Sequence, residues 1–159
     1  MIRSNFIRNG LAAIAVAATL TTSALAAGVD VNATTTGLAL RGFDPVTYFN
    51  GGAPKAGDFT ITAEYKGATY RFTSEANRDA FKADPAKYAP QYGGYCAMGT
   101  AMGLKLDGDP HVYKIVDGKL YLNLSKQIAQ RWNDDVPGNI KTADTTWTKI
   151  EHTAPEDLD

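Results

Sequence analysis

Two short strand pairs, each closed by a two-residue turn, constrain this chain more than any other feature. Residues 111–116, HVYKIV, and 119–124, KLYLNL, flank Asp117-Gly118, a dipeptide that accepts the positive φ a tight hairpin turn demands. Earlier, residues 59–65, FTITAEY, put Phe59, Ile61, Ala63 and Tyr65 on one face and meet residues 68–72, ATYRF, across Lys66-Gly67. Each hairpin leads to a serine suited to cap a helix. Ser74 precedes a run that buries Ala76, Ala80 and Phe81 before Pro85 interferes. Ser125 precedes one carrying Ile128, Ala129 and Trp132, which Pro137-Gly138 is expected to break. A last helix places Ile140, Ala143, Trp147 and Ile150 on one side. The expected fold is α+β: a small single domain with two antiparallel β-hairpins and about three helices, not an alternating βαβ chain. We read no internal repeat from the residues.

Composition sets limits and supplies no chemistry. The chain has 159 residues, 44% apolar and 21% charged, which suits one globular domain. A formal net charge of −1 argues against nucleic acid held by bulk charge. Residues 1–26 read as a secretory signal peptide: Arg3 and Arg8, then the apolar run 11–20, then small residues around Ala24 and Ala26. The expected product is periplasmic or secreted, with no membrane attachment after cleavage. Residues 27–42 read as an extended N-terminal arm, 43–150 as the folded domain, and 151–159 as a loose acidic tail. Cys96 is the only cysteine, so neither an internal disulfide nor a four-thiolate zinc site can form.

Several segments in order resemble the YHS domain family. They are Asp44-Pro45-Val46, residues 65–74 (YKGATYRFTS), and then Phe81, Pro85 and Tyr88. Tyr92-Gly93-Gly94-Tyr95-Cys96-Ala97 and residues 116–123 (VDGKLYLN) are similar to an exported bacterial branch of it, so the resemblance covers about residues 38–150. It implies a small metal-binding module. The family's usual cysteines fall after Asp-Pro-Val, after the strand-ending Phe and in the next helix, where this chain has Thr47, Thr73 and Asn77. Hydroxyls and amides do not replace thiolates for a soft metal, so the usual site of the family is not carried over.

The remaining chemistry gathers in residues 91–103, QYGGYCAMGTAMG. Cys96, Met98 and Met102 offer soft sulfur ligands, and His111 an imidazole, a set suited to a copper ion. The first expectation is therefore an exported protein that binds or sequesters copper, working with a metal-delivery or redox partner protein. Two alternatives stand beside it: a thiol-dependent redox protein using Cys96, which requires an exposed sulfur, and a non-catalytic protein-binding module. The methionines can also be read as core fillers and Cys96 as a small buried apolar residue. No nucleophile elbow, phosphate loop or paired zinc histidines occur.

Overall fold

The computed structural model describes residues 28–158. The signal peptide expected at residues 1–26 lies outside the described residues. Strand β1 (Asp58–Tyr65) pairs antiparallel with β2 (Ala68–Phe72), and β3 (Asp109–Val116) with β4 (Lys119–Asn123), in two separate two-stranded sheets. The helices are α1 (Glu75–Ala83), α2 (Pro85–Tyr88), α3 (Ala97–Ala101), α4 (Lys126–Asp134) and α5 (Val136–Ile150), with 3₁₀ turns at Leu40–Gly42, Pro45–Asn50, Gln91–Gly94 and Pro155–Asp157. The α+β class and both hairpins agree with the sequence reading. The turn residues Lys66 and Asp117 take φ of 48° and 49°, and the glycines after them 75° and 70°. Ser74 Oγ accepts the amide of Asn77 and Ser125 Oγ that of Ile128, as capping serines should.

The expectation of no repeat is overturned. β1, β2 and α1 recur 51 residues later as β3, β4 and α4, with the same lengths. Each hairpin slips register near its start, at Asp58/Thr62 and at Asp109/Tyr113. Asp58 Oδ1 accepts the amide of Thr60, and Asp109 Oδ1 that of His111. Upstream, Leu40, Arg41 and Gly42 hold φ of 51°, 50° and 84°, and Tyr92, Gly93 and Gly94 hold 54°, 62° and 86°. Phe43 bridges Ala56, and Tyr95 bridges Asp107. The chain is thus a duplicated unit. Few side chains repeat while the backbone does, so the duplication lies in the geometry and not in the residue types.

One shared requirement is steric. An added Cβ on Gly57 would lie 2.5 Å from the carbonyl carbon of Arg71, and one on Gly108 would strike Gly94 O and sit 2.8 Å from Leu122 Cβ. We expect Gly57→Ala and Gly108→Ala each to lose about 3 kcal/mol in denaturant titrations, because backbone must move. Gly52→Ala, with nothing within 4 Å, should match the wild type. Equal midpoints for all three variants would contradict this packing.

Two cores result. Val46, Tyr70, Phe72 and Phe81 anchor the first, and Tyr92, Ala97, Tyr121 and Trp132 the second. β4 lies between them: Leu120 and Leu122 enter the first core and Tyr121 the second. That explains why its sequence, KLYLN, is apolar on both faces instead of alternating.

Three expectations need correction. Pro137 and Gly138 do not break a helix; the break is at Asp135, which caps α5 through the amide of Gly138, and Pro137 sits in the first turn where no amide is needed. The described part of the arm is packed: Val31 and Ala39 are buried, and Leu38 bridges Thr69. The described tail is held. Lys105, itself buried, donates from Nζ to the carbonyls of Val29, Glu151 and Thr153 at 2.9, 2.6 and 2.7 Å. Burial lowers its pKa, against the pull of Asp30 and Glu151.

Candidate functional site

The duplication places two polar seats in equivalent positions. In the first unit Asp44 is fully buried. Its Oδ1 accepts the Val46 amide at 2.9 Å. Its Oδ2 accepts the Thr73 amide and hydroxyl, both at 2.8 Å, and the Asn77 side-chain amide at 2.7 Å. Thr47 Oγ1 donates to Asp44 O at 2.8 Å. So the three residues standing where the resemblance implies cysteines, Thr47, Thr73 and Asn77, all bond to one aspartate. A charged acceptor with four donors satisfies the buried carboxylate and fills the space between these positions.

In the second unit Cys96 occupies the corresponding seat. Its amide donates to Leu106 O as that of Asp44 donates to Lys55 O. Its Sγ accepts the amide of Leu124, the counterpart of Thr73, at 3.3 Å, and that of Gly99 at 3.4 Å. The Sγ–H donates to Asn123 Oδ1 at 3.6 Å, and the same oxygen accepts the Met98 amide at 3.2 Å. Cys96 is thereby the cap of α3, with 0% of its surface exposed. The exposure that a redox thiol requires is absent in this conformation.

The other expected site residues fall in different surroundings. Met98 is half-buried against the second core. Met102, at the other end of α3, is 54% exposed. His111 is exposed and stands edge-on to Phe43, ring centroids 4.8 Å apart. Cys96 bridges Leu122 along one edge of β4, while β3, which carries His111, pairs along the other. A strand spacing of about 4.8 Å on each side therefore separates the two backbones. The three sulfur residues lie on or at the ends of one short helix, and His111 stands on the strand paired along the far edge of β4. Among the described residues no three His, Cys, Asp or Glu side chains converge as a metal-ligand group.

Buried phenols surround these seats. Tyr48 donates to Pro110 O, Tyr92 to Asp144 and Tyr95 to Gly28 O. Burial is the main cause that raises the pKa of Tyr48, Tyr92 and Tyr95, the last to about 12.

Two like strand–strand–helix units, each with a buried polar seat at its entry turn, define a small duplicated α+β domain. A family model described as YHS domain matches residues 60–92, from β1 into the turn before Cys96. The family is associated with metal binding. No curated protein and no solved structure matches the chain. Among the described residues no helix is long and apolar enough to cross a membrane.

Proposed function

We propose that this is an exported, non-catalytic protein that binds a soft metal ion, copper foremost, with Cys96 as the thiolate ligand and Met98 and Met102 as thioether candidates. The observation that carries the reading is the sulfur run on α3, with Cys96 capping its start, Met98 in its first turn and exposed Met102 at its end. Thiolate and thioether ligands favour Cu(I). Two amides already directed at Sγ would stabilise the negative charge left when the thiol proton departs to solvent. His111, exposed on β3, is the imidazole candidate beside this set.

A second reading is favoured by the burial of Cys96. The sulfur then serves as the second unit's version of Asp44, a structural cap, and any binding lies elsewhere. Titration with Cu(I) against a competing chelator separates the two. One-to-one binding by the wild type, lost in Cys96→Ala and weakened in Met102→Ala, is the expected result. No binding, or equal binding by Cys96→Ala, would leave Cys96 structural and end the copper reading.

A further inference from the structure

A cavity of about 260 Å³ opens between the two units, and no residue of α3 lines it. That is near the small end of ligand pockets. Four aromatic residues line it, Tyr65 and Tyr70 from the first unit and Tyr92 and Trp147 from the second. The ring centroids of Tyr65 and Tyr70 are 6.4 Å apart, and those of Tyr92 and Trp147 are 6.0 Å apart. Tyr70 is only 1% exposed, and its hydroxyl bonds to no other described residue. Among the described residues only Trp132 Nε1 is sealed from solvent without a partner, so the Tyr70 hydroxyl, on a residue that lines the cavity, keeps some open surface.

The charges at the cavity are unequal. Lys66 lines it, but its Nζ is paired with Glu151 at 3.2 Å. Asp144 lines it too. One of its oxygens accepts the Tyr92 hydroxyl at 2.8 Å, and among the described residues no cation pairs with it. Among the charged residues of the lining, Lys66 is thus paired and Asp144 is not; Lys105, outside the lining, sets its ammonium 5.1 Å from the Trp147 ring centroid and leaves Tyr65, Tyr70 and Tyr92 as the walls without a cation over them. Aromatic faces and a carboxylate together attract organic cations, the faces through their quadrupole and the carboxylate through its charge.

We propose that this cleft binds a small organic ammonium ion carrying an apolar or aromatic body, with Asp144 as the counter-charge and Tyr70 available to a polar group on the ligand. The site is independent of Cys96 and of the metal reading. It also accounts for residues that the sulfur site does not use, from the first unit's hairpin turn to the middle of α5.

The test is a binding titration of the whole folded protein with phenethylammonium, and with benzoate as the anionic probe of like size. Trp147 lines the cleft while Trp132 is buried in the second core, so the fluorescence of Trp132→Phe reports on the cleft. Amide chemical shifts of wild-type protein locate the contact around Lys66, Gly93 and Asp144. The expected result is saturable binding of the ammonium, weakened about tenfold in Asp144→Asn, unchanged or tightened in Lys66→Gln, with no binding of benzoate. Asp144 is exposed, and asparagine can still accept from Tyr92, so the fold survives this change. Preference for benzoate, no binding of the ammonium, or an Asp144→Asn variant that binds as the wild type does would each overturn the proposal.

Discussion

Raising the pH above 10 is expected to unfold this protein within one or two pH units. Five of its eight tyrosines, Tyr48, Tyr70, Tyr92, Tyr95 and Tyr121, are buried with pKa values raised above that of a free phenol, and burial is the first cause in each. In the unfolded chain the same phenols lose their protons near pH 10. Between pH 10 and the folded values the native state therefore holds more protons than the unfolded state. The stability this represents is fully present below pH 10 and is lost as pH rises through the folded values. Each phenol contributes a slope of about 1.4 kcal/mol per pH unit, so five give about 7 kcal/mol per unit, comparable with the whole stability of an ordinary domain. The check is to follow ellipticity and phenolate absorbance together. They should change in one cooperative step, with at most the three other tyrosines titrating before it. Smooth ionisation of all eight near pH 10 with native ellipticity retained would refute this account.

The largest single-residue effect should come from Asp44. Asp44→Ala removes the acceptor for two backbone amides, one hydroxyl and one side-chain amide at a site with no solvent access. Orphaned buried donors carry their full desolvation penalty, so a loss of about 3–5 kcal/mol is expected by urea titration. Cys96→Ala removes weaker N–H···S contacts and a smaller side chain, and should cost about 1–2 kcal/mol. Comparable losses at the two seats would mean that the Asp44 network is not what holds the first unit's entry turn.

Much of this architecture is legible in short stretches of sequence, and the reasons are local. Lys66-Gly67 and Asp117-Gly118 announce their hairpins because positive φ restricts the choice of residue. Ser74 and Ser125 announce their helices because a hydroxyl satisfies an open amide. The rest of the architecture is held by backbone geometry. Leu40 and Tyr92 share a left-handed conformation that neither residue type suggests. Asp44 and Cys96 share a seat but not a chemistry. Lys105 gives no local sign of its role, since its three acceptors lie at least 46 residues away. Ligand chemistry groups His111 with Cys96, and chemistry alone does not tell on which edge of β4 a residue falls.

The Lys105 clamp gives the polypeptide the character of a ring. Asp30 and His152 meet at 2.9 Å although 122 positions separate them, and the ε-amino group of Lys105 ties down the carbonyls on both sides. Whatever precedes Gly28 and whatever follows Leu158 are rooted in adjoining segments, so an attachment at either end is an attachment at one place. A pull on both ends would load this junction before either hairpin, making one ammonium group the fastener of a two-unit loop.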